Sequence, residues 1–321
     1  DGIVRGLEFP YGFTVETDII FPRFSEEDTT FNRDFKEVSL FGMQSASTDG
    51  AADMGVDPTW YANDPVSFQV YAIRQSKSSK NIYFKLTSSL TANSTTDETP
   101  FPTLTSSYYY DAYDDTRWNI SVRLKPTNFG VTDMVSGAAN AKDYRYDLVF
   151  KGLNTVGGTV QNSFTLTSSI TKAVGHNFLK AAKRLYVGAR RTNITGALVA
   201  PCDVLFGSAK YWAKYIDDST LQQHAVDLDN AGVSGSWKDI SPLDLNLKNS
   251  GSVFNSHMLA LDWRFNNVSS SGVAGGFPVV DFSSGSTILR DRNGWVGNLA
   301  GYQHTGTGSQ FPASFQNVIV S

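Results

Sequence analysis

Apolar and polar residues alternate with a period of two along most of the chain, the mark of strands with one buried face. In YGFTVETDIIF, residues 11–21, Phe13, Val15 and Ile19 fall on one side and Thr14, Glu16 and Asp18 between them, with Thr17 interrupting the apolar register. In VSFQVYAI, residues 66–73, Val66, Phe68, Val70 and Ala72 share a face. IYFKL at residues 82–86 repeats the pattern, as does WNISVRL at residues 118–124, whose Trp118, Ile120, Val122 and Leu124 are expected to face the interior. RYDLVFKGL, SFTLTSSI and RLYVGA continue the series, separated by Gly, Ser, Asn and Asp clusters that mark turns.

Helical periodicity is weak throughout. The best helix start is IDDSTLQQHAV, where Ser219 and Gln222 have capping-box spacing and Asp217 and Asp218 suit the N-terminal dipole. It predicts a short helix of about two turns. Near residue 230 the composition shifts toward Gly and Ser. The division expected is a sandwich over residues 1–230 and a β-rich extension or assembly arm over residues 231–321. Within the extension, His257, Leu259, Leu261, Trp263 and Phe265 alternate with polar or small neighbours, which predicts a strand at residues 257–265 that pairs in a sheet.

Composition narrows the class. At 321 residues with 40% hydrophobic and 13% aromatic content, the chain can build a large core. A net charge of -4 argues against a nucleic-acid partner, which would need clustered Lys and Arg. The single cysteine, Cys202, excludes a disulfide scaffold, and no apolar stretch is long enough to span a bilayer as a helix. The chain opens on Asp1 with neither an initiator Met nor a signal peptide, as expected of an excised segment of a longer chain or of a cloning boundary.

A constellation in the second half carries a family resemblance. DTRWNISVRLKP, YRYDLVFKGL and SFTLTSSI lead into RLYVGARRTNITGALVAPCDVLFGSAKYWAKYIDDSTLQQHA. This order resembles the closing half of laminin-G-like domains: an LYVGA strand at Leu185 to Ala189, a returning strand at Val204 to Tyr215, and a short helix at Ser219 to His224. GLEFPYGFTVETDIIFP resembles the family's first core strand, so the likeness spans roughly residues 1–228. Asp203 stands near an Asp common in that family, although Pro201 and Cys202 replace the usual preceding Gly. The resemblance implies an all-β, antiparallel jelly-roll sandwich of the concanavalin-A-like kind. FTVETDIIFP, SLFGMQS and NGWVGNLAGYQHTGTGSQFPAS are also similar to segments of large virion structural proteins, tail or baseplate, of T4-like tailed phages. That likeness implies a virion location, extracellular in the free particle, with other virion subunits as partners and no membrane insertion.

Candidate chemistry is sparse. Concanavalin-A-like folds also host glycosidases, and retaining hydrolysis needs two carboxyls about 5–5.5 Å apart. Glu16 and Asp18 are the nearest match, but the next alternate position is Ile20, and they read as acids on a solvent face. His176, His224, His257 and His304 are scattered, and Cys202 has no neighbouring His. No protein cofactor is called for. The one metal candidate is Ca²⁺ at Asp49, Asp53 and Asp57, with Asp227 and Asp229 in a second acidic loop; Asx turns account for both loops as well. Trp60 and Tyr61, with Tyr108 and Tyr110 from SSYYYDAYDD, are candidates to stack on a cell-surface glycan; alternatively, alternate tyrosines plug the sandwich edge. Trp295, Tyr302, His304 and Phe311 are the expected assembly contacts. The reading is a non-catalytic virion module, with a carbohydrate-binding adhesin as the alternative and a glycan hydrolase behind both.

Overall fold

The computed structural model describes residues 12–23, 35–45, 68–88, 101–127, 145–171, 174–175, 178–179, 183–188, 190–191, 198–200, 202–228, 230 and 259–265. In chain order the strands begin with β1 (Phe13–Phe21), β2 (Glu37–Ser45), β3 (Phe68–Arg74), β4 (Ile82–Ser88) and β5 (Leu104–Thr105). There follow β6 (Thr116–Pro126), β7 (Tyr146–Val156), β8 (Thr159–Ile170) and β9 (Lys183–Val187). The last are β10 (Arg190–Arg191), β11 (Leu198–Ala200), β12 (Leu205–Trp212) and β13 (Leu259–Arg264). The helix α1 (Asp218–Val226) lies between β12 and β13. Among the described residues no helix is long and apolar enough to cross a membrane.

Two antiparallel sheets pack face to face. The larger runs β13-β12-β1-β6-β7-β8 and the smaller β5-β4-β3-β2-β9, with β10-β11 as a separate pair. Every pairing within them is antiparallel. This is the all-β sandwich that the alternation predicts. The expected strand at residues 257–265 is β13, which joins the larger sheet through β12, with Leu261 opposite Tyr211.

The inner faces supply the core. From β1 come Phe13, Val15, Ile19 and Phe21, and from β6 Trp118, Ile120, Val122 and Leu124, all at most 2% exposed. The smaller sheet answers with Phe68, Val70 and Ala72 of β3 and Ile82, Phe84 and Leu86 of β4. Rings interlock across the gap: Phe84 lies 4.9 Å from Trp118 and 5.3 Å from Phe164, and Phe13 stacks 6.4 Å from Phe68. Each such side chain contributes about 1.5–3 kcal/mol through burial, before the entropy of ordering the chain is counted.

Two glycine features shape the larger sheet. Gly157 and Gly158, both at positive φ, turn β7 into β8 between Val156 and Thr159, the primed geometry whose twist matches a hairpin. Gly152 faces the Phe164 ring, and a Cβ there would sit 2.2 Å from Cε1, so only glycine lets that ring lie flat.

Candidate functional site

The even positions of β1 are where the structure departs most from the sequence reading. Glu16 and Asp18 do not lie on a solvent face: they are 2% and 1% exposed. Strand pairing puts Glu16 between Lys210 of β12 and Ser121 of β6, with Asp262 beyond Lys210 and Lys151 beyond Ser121. This polar row crosses the outer face of the larger sheet. It is covered by α1, whose Leu221 and Ala225 pack with Trp212, Ile216, Leu153 and Leu259.

Glu16 is the centre of that layer. Its Oε1 accepts from Trp212 Nε1 at 2.7 Å, and His224 Nδ1 stands 2.8 Å from the same oxygen. Toward an ionised carboxylate that nitrogen must be the donor. Oε2 accepts from Asn119 Nδ2 at 3.3 Å. The His224 and Trp212 rings stack at 5.3 Å. Burial alone would raise the Glu16 pKa, but His224, Lys210 and the Trp212 hydrogen bond outweigh it and hold the carboxyl at about 2. Lys210 itself is 2% exposed and donates to the carbonyls of Leu228 and Asn230, which ties the chain after α1 to the sheet.

Asp18 is engaged separately. Arg117 donates Nε to both of its oxygens and Nη2 to Oδ2, at 2.8–3.0 Å. Burial nevertheless prevails and raises the Asp18 pKa. Neither carboxylate reaches solvent, whereas a general acid or base must come within about 3 Å of the proton it moves.

The same layer fixes the helix. Asp218 receives Arg123 Nη2 at 2.7 Å and Lys151 Nζ at 2.9 Å, while Arg123 Nη1 donates to the Ile216 carbonyl. The N-cap is Asp217, not Ser219: its side chain accepts from the Thr220 amide at 2.8 Å, and the Ser219 hydroxyl donates to it. An acid two residues earlier than the expected cap takes the site because an ionised acceptor binds the orphan amides more strongly.

At one end of the sandwich lies a second buried cluster. Asp203 accepts from Arg74 Nη2 through Oδ2 and from the Tyr113 hydroxyl through Oδ1, and the Arg74 guanidinium stacks 3.8 Å from the Tyr113 ring centre. Asp203 therefore joins the core to the loop before β12. Its neighbour Cys202 is buried, which raises the thiol to about 12 although the Val204 backbone hydrogen bond opposes this. Such a thiol stays protonated at neutral pH and is no nucleophile.

The tyrosine run divides by parity. Tyr109 exchanges backbone hydrogen bonds with Ile82 and turns its ring inward, 4.7 Å from Trp118. Tyr113 is fully buried. Tyr108 and Tyr110 are left outside, 45% and 78% exposed. Tyr108 leans edge-on against Tyr83 at 5.1 Å, beside Tyr71 and Ile73 on the outer face of the smaller sheet. Asp111 follows Tyr110 at positive φ, its amide bound to the Asn81 side chain. Tyr110 thus projects from an anchored turn beside an exposed carboxylate.

Asp49, Asp53, Asp57, Trp60, Tyr61, Trp295, Tyr302, His304 and Phe311 lie outside the described residues, as do Asp229 and the other three histidines. Among the described residues no group of three or more His, Cys, Asp or Glu side chains is arranged to hold a metal ion. The Glu16 layer went unread in the sequence, yet Glu16 and Asp18 on β1 and Lys210 and Trp212 on β12 share one parity and hence one face. No family model matches this chain, nor does any curated protein.

Proposed function

We propose that the chain is a non-catalytic structural module of a tailed-phage virion, in its tail or baseplate region, that mounts neighbouring subunits on a rigid concanavalin-A-like jelly roll. The observation that carries this reading is the fate of the Glu16 and Asp18 pair. The acids best placed for glycan hydrolysis are enclosed and bonded to His224, Trp212 and Arg117, where they join helix to sheet. The virion context rests on the resemblance of the quoted segments. Mass spectrometry of purified particles is expected to find peptides of this chain in tail fractions at near-stoichiometric copy number. Absence from the particle would sink the assignment, and reducing-end release from polysaccharide by the purified chain would replace it with a hydrolase.

The adhesin reading is favoured by one observation, the exposed Tyr108 and Tyr110 on an anchored turn. Ring stacking on a sugar would take place there. On that reading Tyr110→Ala lowers glycan-array binding about tenfold. It leaves stability within roughly 0.5 kcal/mol, because the ring is mostly in solvent. Equal array signals from both proteins would remove Tyr110 from any glycan site.

A further inference from the structure

We propose that β8 is a docking edge for a second copy of this chain, the two β8 strands pairing antiparallel about a two-fold axis at Leu166. The proposal deepens the assembly reading above and rests on it for its purpose.

β8 is the last strand of the larger sheet, paired on one side with β7 alone among the described strands. Alternate backbone amides and carbonyls of such a strand point away from the sheet and call for partners. Proteins usually blunt long edges with charge, proline, a bulge or short length. β8 spans 12 residues, TVQNSFTLTSSI, with no charged residue, proline or glycine. Its register with β7 runs unbroken from Ile170 to Asn162, so no bulge bends that stretch away. The other edges of the two sheets are blunted. β5 has two residues, β13 carries Asp262 and Arg264, and β9 carries Lys183 and Arg184.

Two contacts bracket the free stretch. The Tyr109 hydroxyl donates to the Ser163 carbonyl, and Arg145 donates to the Ser169 hydroxyl and carbonyl. Between them, Thr165, Leu166, Thr167 and Ser168 make no hydrogen bond with described residues beyond the ladder to β7. Thr165 and Thr167 are exposed and Leu166 is half-buried.

The occupant follows from the charge pattern. A two-fold axis at Leu166 sets residue 165 of one copy against residue 167 of the other, and because no position on β8 is charged the edge meets a second copy of itself without like-charge repulsion. With the axis at Leu166, Thr165 meets Thr167 of the partner subunit on the outer face. Leu166 meets its own counterpart and loses its remaining exposure, and the larger sheet continues into the second copy. Threonine pairs and an aliphatic pair are favourable cross-strand neighbours.

The register gives a sharp test on the full chain. Thr165→Lys with Thr167→Lys sets lysine against lysine across the axis, twice. Thr165→Lys with Thr167→Glu sets lysine against glutamate. Sedimentation equilibrium at tens of micromolar is expected to find the wild type dimeric and the Lys/Glu variant dimeric. The Lys/Lys variant is expected to lose dimer affinity by at least about 30-fold. Far-UV circular dichroism checks that both variants fold. A cysteine pair, Thr165→Cys with Thr167→Cys, gives an independent readout, an intermolecular disulfide on a non-reducing gel. A monomeric wild type, equal behaviour of the two charged variants, or no cross-link in the cysteine variant would each overturn the proposal. Detection of the chain in purified particles does not depend on β8, so failure here is distinguishable from failure of the virion assignment.

Discussion

Trp118→Ala is expected to destabilise the chain by about 3–5 kcal/mol, the range for removing a large aromatic from a packed core. Trp118 is 2% exposed, and its ring sits 4.9 Å from Phe84 and 4.7 Å from Tyr109. Those partners come from the smaller sheet and from the turn before β6, so one truncation opens contacts between both layers. The cavity has little means of closing. Phe84 is held by Phe164, and Phe164 lies against Gly152, where there is no slack for a single added carbon. Incomplete collapse places the cost toward the upper end of the range. Urea denaturation followed by circular dichroism measures it. A loss under about 1 kcal/mol would contradict the placement of Trp118 between the sheets.

The strands were legible because each inner face meets a wholly apolar layer. The run Trp118, Ile120, Val122 and Leu124 alternates with Asn119, Ser121 and Arg123, and that period of two has one reading. What alternation could not show was whether the polar side meets water. On β1 it does not, because the helix that covers Glu16 arrives from His224, 208 residues away. Periodicity reports a change of polarity between faces, and a buried ionic layer under a helix has the same signature as a wet surface. The tyrosine run was ambiguous for a related reason. Three consecutive Tyr residues carry no parity until the Ile82–Tyr109 bridge assigns one. The helix cap lies two residues before the Ser219 cap that the sequence suggests, since Asp217, Asp218 and Ser219 are all good caps in isolation. Asp217 prevails once Arg123 and Lys151 hold Asp218 inside the first turn. The β7–β8 hairpin had a local signal, Gly157-Gly158 between Val156 and Thr159, and it lies where that dipeptide predicts.

Glu16→Gln, which would have been silent on a solvent-facing strand, is now expected to cost about 3–5 kcal/mol at neutral pH. Removing one member of a buried charge pair leaves the other poorly compensated, and here the Lys210 ammonium is enclosed beside the lost charge. The amide can still accept from Trp212, so shape is kept and the loss reports charge. Acid titration carries the same information. The Glu16 carboxyl titrates at about 2 in the folded chain against 4.5 as its ordinary value. A folded pKa below the unfolded one means that the unfolded state binds the proton first as pH falls. The stabilisation is therefore complete above about pH 4.5 and is lost progressively as pH falls toward 2, by on the order of 3 kcal/mol. Asp18 works in the opposite sense, since its folded pKa is raised. Asp217 and Asp218 have lowered values and act in the same direction as Glu16, but both are substantially solvated and their share is screened. Comparing wild type with Glu16→Gln cancels the Asp217 and Asp218 contributions, and that of Asp18 apart from the small part of its shift that the Glu16 charge causes. Denaturation free energies measured at steps between pH 6 and pH 2 should converge, the variant starting lower and losing less. Parallel curves, with a constant gap down to pH 2, would mean that Glu16 is not the ionised centre of the layer between helix and sheet.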